Sequence, residues 1–372
     1  MAAGDRIVSG AVHRALVRLP ADARGRTRVE VTEVRTPRLE PGDALLAPVI
    51  AGVCGTDWQI LRGLRDDPTP VLGHEGVARV VESGDTGLPA GSLVTVNPTH
   101  PGDPSFLLGH NLPGLWAERT RIPATAVRAG LVLPVPEGAD RPGVAALAEP
   151  LASALYGLEI ALAVTRPAAL VVWGDGIVGR LARDAWQREL PGLATLLVGH
   201  GADAVHPRDA GLPELLAALP APVGVVIATP RTATREALTA VDRHVRGTLL
   251  VDVHAGLPPG PVPLSSGEAD VAALRAGNCG GEPRPPRVHH VDRPAGPLLL
   301  YGHRGVSGGH LRTAVDLLLQ QGEPSGKGVL THEVDLTGAT DLVNSVLESD
   351  RRAAGGRRVL KAAIRMGRGD DG

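Results

Sequence analysis

The sequence predicts an α/β protein built in two parts, a β-rich half of mostly antiparallel strands and a doubly wound parallel sheet. Three observations lead there. The chain has 372 residues, beyond the roughly 100–200 residues of one ordinary domain, so each of two parts can bury its own core. From residue 11 to about 130, short β-like runs such as RVEVTEV, DALLAPVIAGV, GVARVVES and SLVTV are punctuated by Gly, Pro and Asp turn signals. Farther on, continuous apolar runs alternate with helical segments, the pattern of parallel strands covered by helices on both faces.

Composition, 43% apolar and 21% charged but only 2% aromatic, requires cores packed from Val, Leu, Ala and Ile, and valine favours sheets. Between residues 140 and 164, DRPGVAALAEPLASALYGLEIALAV carries apolar positions at helical spacing, so the chain turns helical there. AALVVWGDGIVGRLARDAWQREL then reads as a buried strand, a glycine turn and a helix. LATLLVGH, PVGVVIATP and GTLLVDVHAG continue as buried strands with helices between them. Residues 256–297, rich in Gly and Pro, show no period that assigns them. GPLLLYGHRGVSGGHLRTAVDLLLQQ restores a strand and an amphipathic helix; THEVDL, a short helix and RRVLKAAIRM follow. There is no internal repeat.

A net charge of -2 provides neither a basic face for a phosphate backbone nor a polybasic patch for anionic lipid, which argues against nucleic acid and membrane as partners. Cys54 and Cys279 are the only cysteines, too few for a disulfide framework, and no apolar run approaches the ~20 residues of a membrane span. MAAGDRIVSGAVHRALV lacks an uninterrupted apolar stretch of the signal-peptide kind, so a cytoplasmic protein is expected.

In VVWGDGIVG, Gly174, Gly176 and Gly179 fit G-x-G-x-x-G between a strand and a helix. Gly174 permits a tight turn, Gly176 lets backbone approach a pyrophosphate, and Gly179 lets helix and strand pack closely. The first helical residues, Ile177 and Val178, offer free N–H groups to the anion. An NAD-selective site places a carboxylate about 20 residues on to hold the ribose 2′-OH. Here LLVGHGAD has Gly199 and His200 at that place. With no carboxylate there, and with His200 and Arg208 at hand, the expectation leans to NADP, although His200 also reads as a solvated loop histidine.

A second constellation is spread wide. Cys54 stands in AGVCGTDWQI, His74 and Glu75 in VLGHEGVARV, and Glu149 in ALAEPLASAL, where a carboxylate in an apolar helix needs something to neutralise it. Cys54, His74 and Glu149 would give a zinc ion three protein ligands and leave a fourth position open, as catalytic zinc sites do. Singly, each has a plainer reading: core filler, turn histidine, helix-end carboxylate. Cys279, in GNCGGEP, has no partner at ligand spacing and reads as structural.

AGVCGTD, LGHEGVARVVESG, GLWAERTRIPA, ALAEPLASALYGL and VVWGDGIVG resemble, in this order, the medium-chain zinc-dependent alcohol and polyol dehydrogenases. The resemblance implies a GroES-like β-rich catalytic domain, residues 1–151 and 302–372, around an inserted Rossmann nucleotide-binding domain, residues 152–301. It implies one catalytic zinc on Cys54, His74 and Glu149, with Glu75 as an alternate ligand. Asp57 would orient the histidine, Thr56 would pass the substrate's proton, and His303 and Arg304 in YGHRG would line the nicotinamide end. The implied activity is zinc-dependent hydride transfer between a polar secondary alcohol (polyol, sugar or cyclitol) or its ketone and NAD(P), in a homodimer or homotetramer.

Two departures follow. The family's structural zinc lobe is represented by VNPTHPGDPSFLLGHNLPG, which has no cysteine, so that second zinc is expected to be absent. The position of a relay histidine is Gln59, which cannot titrate, leaving water, the ribose, His100, His110 or His303 as proton exits. The rival readings are a zinc-free quinone-type reductase of the same fold and a non-catalytic nucleotide-binding protein; both predict no tightly held zinc.

Overall fold

The short apolar runs of the first part fold as strands: β1 (Val12–Arg18), β2 (Val29–Arg35), β3 (Ala44–Val53), β4 (Gly76–Glu82), β5 (Leu93–Val96), β6 (Thr120–Ile122) and β7 (Val132–Pro134). α1 (Gly55–Leu61) follows β3, α2 (Ala124–Arg128) follows β6, and α3 (Pro142–Val164) comes after β7. The computed structural model describes residues 11–22, 25–84, 86–258, 260–321, 328–349 and 352–367.

The glycine-rich middle is built from β8 (Ala169–Trp173), α4 (Ile177–Glu189), β9 (Ala194–Val198), α5 (Leu212–Ala217), β10 (Val223–Ile227), α6 (Thr234–His244) and β11 (Leu249–Asp252). After these come β12 (Val262–Pro263), β13 (Glu268–Ala269), α7 (Val271–Ala276), β14 (His289–Val291), β15 (Leu298–Tyr301) and α8 (Gly308–Gln321). The chain ends in β16 (Leu330–Asp335), α9 (Leu336–Glu348), β17 (Ala353–Ala354), β18 (Arg357–Arg358) and β19 (Lys361–Arg365).

Two units result, Met1–Glu149 with Val315–Gly372, and Pro150–Ala314. In the first, a sheet runs β16-β19-β3-β4-β5-β7, with β6 also on β3. The late strand β19 pairs antiparallel with β3, Ala362 opposite Val53. Leu46, Val53, Trp58, Ile60, Val94, Phe106, Trp116, Val343 and Ile364 are among its core residues. The loop of residues 97–114 is held by packing, with Phe106 and Leu108 buried and Leu108 bridged to Leu112.

The second unit is a six-stranded sheet of order β14-β15-β11-β10-β8-β9. Five of its strands are parallel, as expected of a doubly wound sheet, and β14 adds an antiparallel edge on β15. An antiparallel edge strand needs no crossover helix, and this one is only three residues long. The unassigned Gly- and Pro-rich segment supplies β12, β13, α7 and β14, with the Asp270 carboxylate accepting from the Ala273 N–H at the start of α7 (2.9 Å). Elements this short are stabilised by neighbours rather than by a period of their own. The sequence reading returned to the first unit at 302, whereas the division falls at 314/315, within α8. The start of α8 is tied into the second unit: His310 Nε2 contacts Glu159 Oε2 at 2.8 Å.

α3 is one helix long and apolar enough to cross a bilayer by length and composition, contrary to the expectation that no segment approached it, but 67% of its apolar window is buried inside the protein.

Candidate functional site

Cys54 sits where β3 ends and α1 begins, as the N-cap of that helix. Its N–H donates to Asp57 Oδ2 at 2.8 Å, and its Sγ lies 3.8 Å from Thr56 Oγ1. Asp57 is fully buried, and its other oxygen faces His74 Nδ1 at 3.5 Å. His74 and Glu75 arrive from the turn before β4, which is closed by glycines for steric reasons. Gly73 has φ +90° and its absent Cβ would lie 2.3 Å from Trp116 Cδ1; one on Gly76 would lie 2.3 Å from the Ile50 carbonyl. The indole N–H of Trp116 donates to the Gly52 carbonyl (3.1 Å), pinning the turn against β3.

The donor atoms of Cys54, His74 and Glu75 all lie within 4.8 Å of one another. Glu75 Oε2 pairs with Lys361 Nζ, while Glu75 Oε1 is buried without a hydrogen-bond partner. Burial pulls the His74 imidazole down, yet the charges of Cys54 and Asp57 outweigh it and hold its pKa well above the usual histidine range. The pocket therefore draws positive charge to this point. Arg352 stacks over Trp58 at 5.4 Å; burial lowers its guanidinium to about 10, against the opposing pull of Cys54, Glu75 and Asp57.

Of the residues singled out from sequence, Cys54, Thr56, Asp57, His74 and Glu75 come together. Glu149 does not belong to the 4.8 Å group; it is half-buried on α3, with an interaction of its own. Among the histidines considered as proton exits, His110 stacks on His74, ring centroids 4.9 Å apart, and reaches Asp67 Oδ1 at 3.3 Å. His100 instead accepts from the Gly102 N–H in its own loop (3.0 Å). Gln59 is half-buried on α1.

Sequence reasoning missed Lys361 and Arg352. A signal for Lys361 existed: the chain has only two lysines against an abundance of arginine, and Lys361 stands inside the apolar end of RRVLKAAIRM.

In the second unit, β8 leads into Gly174, at φ +127°, and Gly176 caps α4. A Cβ on Gly179 would lie 1.8 Å from the Gly174 carbonyl, whereas one on Gly176 would meet nothing within 4 Å. Glycine at 179 is thus demanded by packing of helix on strand, and at 176 the space is open. Ile177 and Val178 begin α4, with their N–H groups at its N-terminus. At the end of β9, Gly199 is buried and His200 exposed, as is Arg208. The buried Asp175 lies under this turn: Cβ atoms on Gly199 and Gly201 would come 2.8 Å and 3.0 Å from its side chain. A carboxylate does reach the end of β9, then, delivered by the glycine turn rather than by β9 itself.

His303 is buried just after β15, its Nδ1 sharing a hydrogen bond with the Gly305 carbonyl (3.1 Å). Burial, helped by His254, lowers its pKa to about 3, so the ring is neutral. Arg304 is exposed, with its N–H donating to the Asn278 carbonyl at 2.8 Å. Cys279 makes backbone β-bridges to Glu282 in its own loop and to Arg304 after β15, and burial pushes its thiol up.

Residues 40–136 match the alcohol dehydrogenase GroES-like domain family. A glucose 1-dehydrogenase from Thermoproteus tenax is 30% identical over 177 residues, covering 41% of this chain and 50% of that protein. The chain thus spans about half the length of the curated relatives it matches. Among solved structures, one described as a short chain alcohol dehydrogenase from Escherichia coli, complexed with NADH, superposes with a TM-score of 0.69 at 15% identity over 96% of this chain and 100% of that one. A cobalt- and zinc-bound thermostable alcohol dehydrogenase from Pyrobaculum aerophilum does so at 0.61 and 19% identity, covering 96% of this chain and all of that one. At those identities the superpositions establish the fold.

Proposed function

The chain belongs to the medium-chain alcohol and polyol dehydrogenase family, and from that premise we propose that it is a zinc-dependent oxidoreductase. It moves a hydride between a polar secondary alcohol, of the polyol, sugar or cyclitol kind, or the matching ketone, and NAD(P). The observation that carries this is the meeting of a half-buried Cys54 with the buried His74 and Glu75, with Asp57 behind the histidine. A zinc-free reductase or a non-catalytic nucleotide binder has no use for such a costly group of buried polar atoms.

The residues fit a zinc ion. There is one thiol, an imidazole whose Nδ1 faces a carboxylate and leaves Nε2 for the metal, and a carboxylate oxygen with no partner. Cys54 and His74 would hold the ion; Glu75 is the carboxylate standing in the group, and Glu149 is the second that the chain offers. When bound, zinc supplies Lewis acidity toward a substrate oxygen, and the nicotinamide supplies the hydride acceptor or donor. The protein's own parts do the rest. Asp57, whose Oδ1 faces His74 Nδ1 at 3.5 Å, orients the ring electrostatically. Thr56 Oγ1, beside Cys54 Sγ, exchanges the hydroxyl proton. Lys361 supplies the counter-charge to Glu75. With Gln59 unable to titrate, His110, stacked on His74, is the residue placed to carry the proton onward.

For the cofactor, the N–H groups at the start of α4, with Gly174, Gly176 and Gly179, would hold the pyrophosphate, and His303 and Arg304 would serve the nicotinamide end. His200 and Arg208 support a lean to NADP; Asp175 works the other way. The glucose dehydrogenase relative supports a sugar-type substrate, the NADH-bound neighbour the nicotinamide, and the cobalt- and zinc-bound neighbour the metal. We expect a homodimer or homotetramer, to be read from sedimentation.

The test is an absorbance screen for nicotinamide reduction across polyols, sugars and cyclitols with NAD and NADP in parallel, alongside metal analysis of the purified chain. Turnover that is lost with the metal in Cys54→Ser supports the proposal. A metal-free protein inert toward every substrate sinks it. Metal content of Glu75→Gln and Glu149→Gln decides between the two carboxylates.

A further inference from the structure

The second unit holds another group of three donors, and it contains no thiol. We propose that Asp252, His254 and His303 form a second divalent-metal site, taking a first-row transition ion such as Zn²⁺ through two imidazoles and one carboxylate.

Topology puts them together. β11 and β15 are adjacent and parallel, with Asp252 opposite Tyr301 at their ends. The loops that follow leave the same edge side by side, one carrying His254 and the other His303. The carboxyl edge of a parallel sheet is where such folds place ligands.

Donor geometry then speaks for a metal. One ligand atom from each residue lies within 4.8 Å of the others, and His254 Nδ1 stands 3.6 Å from Asp252 Oδ2. Two ligands bound at about 2.0–2.1 Å in a tetrahedral set stand about 3.4 Å apart, so the Asp252–His254 pair needs little adjustment and the group as a whole must draw in from within 4.8 Å. Each imidazole is pinned by its far nitrogen: His254 Nε2 to Ser153 Oγ at 3.0 Å, and His303 Nδ1 to the Gly305 carbonyl. This is how metal-binding histidines are oriented. The near atoms, His254 Nδ1, His303 Nε2 and Asp252 Oδ1, are all buried without a hydrogen-bond partner. Three orphaned polar atoms in one place are rare in a folded protein unless something joins them.

The surroundings leave room for it. A Cβ on Gly157 of α3 would fall 2.2 Å from Asp252 Oδ2, so only glycine there spares the carboxylate. Arg275 donates to the His254 carbonyl (3.0 Å) and thereby holds the loop by its backbone. A Ser153–His254–Asp252 proton relay is the competing use of these atoms, but it requires a hydrogen bond between Asp252 and His254 Nδ1, and none is made. The donor set of two histidines and a carboxylate with no sulfur suits Zn²⁺ or Fe²⁺ better than Ca²⁺ or Mg²⁺, which prefer oxygen alone.

The experiment is a Co²⁺ titration of the metal-stripped, full-length protein. About two equivalents are expected, and only one should give a thiolate-to-cobalt charge-transfer band, because only the Cys54 group contains sulfur. His254→Ala with His303→Ala should remove the equivalent that lacks this band and keep the other. Asp252→Asn should weaken it at least tenfold, and Cys54→Ala should leave it in place. Should the double histidine variant fail to fold, the Cys54→Ala protein decides alone: about one equivalent bound without the charge-transfer band upholds the site, and none overturns it. Loss of the charge-transfer band with retention of the other equivalent would instead strike at the zinc reading of the first unit, so the two failures are distinct.

Discussion

Replacing Lys361 by Met tests whether the buried pair with Glu75 holds the first unit together. Lys361 is 0% exposed and Glu75 1%, and Gly52 lies so close that a Cβ there would meet Glu75 Oε2 at 2.6 Å, so water has no way to replace the ammonium. Methionine fills most of the volume but leaves a carboxylate buried without its counter-charge, and removing one partner of such a pair costs about 3–5 kcal/mol. At roughly tenfold per 1.4 kcal/mol, the unfolding constant should rise by about a hundredfold to several thousandfold. Urea unfolding of the metal-free protein, followed by tryptophan fluorescence, measures it. Because the penalty comes from the orphaned carboxylate, Lys361→Met with Glu75→Gln should recover much of the loss. A single variant costing under about 1 kcal/mol, or a double variant no better than the single, would refute the claim that these charges depend on each other.

Three further outcomes are expected. Gly179→Ala drives a methyl toward the Gly174 carbonyl and should lower both thermal stability and NAD(P)H affinity, whereas Gly176→Ala has free space and should leave the melting temperature unchanged while weakening NAD(P)H at least tenfold in a fluorescence titration. Asp175→Asn removes a carboxylate from beside Gly199 and Gly201 and should shift the NADP-to-NAD ratio of kcat/KM toward NADP by roughly tenfold; an unchanged ratio removes Asp175 from selectivity. Asp43 is 2% exposed. Burial raises its pKa, but hydrogen bonds from the Glu40 N–H, Arg121 and the Ala124 N–H outweigh it and leave it below the ordinary value of 3.8. A depressed carboxylate stabilises the fold above its unfolded pKa and loses that contribution as pH falls through the folded value. Asp43→Asn should therefore cost about 1–3 kcal/mol at pH 7, with the gap to the unsubstituted protein closing below about pH 4 in urea titrations.

What could be seen in the sequence was whatever a local pattern encodes. The apolar runs of β8, β10 and β11, the helical spacing of α3 and the glycines between β8 and α4 all carry their signal within a few neighbouring residues. So do CGTD and GHEG as short strings, although the glycines around His74 and Glu75 answer to crowding from Trp116 and Ile50, which are distant in sequence. The pairing of Lys361 with Glu75 was hidden because 286 positions separate them, and no local period shows that Asp175 reaches beneath Gly199, on the neighbouring strand's end. The reach of Glu149 depends on how α3 is rotated, which periodicity alone does not determine; Glu75 is the carboxylate found in the 4.8 Å group. β12, β13 and β14 are too brief for any period to show, and the antiparallel direction of β14 is decided by its neighbour β15.

The pairing of β3 with β19 has a bearing on how the molecule is born. Ala362 lies 309 positions after Val53 (362 − 53), its partner across the sheet. At the ribosome's pace of about 5–20 residues per second, Val53 waits on the order of 15–60 seconds for that neighbour. The second unit, Pro150–Ala314, is contiguous in sequence and emerges whole within the interval. Newly made chains should therefore pass through a stage with a finished sheet in the middle and an unzipped edge at Val53, during which the Cys54 thiol next to it is open to oxidants and stray metals.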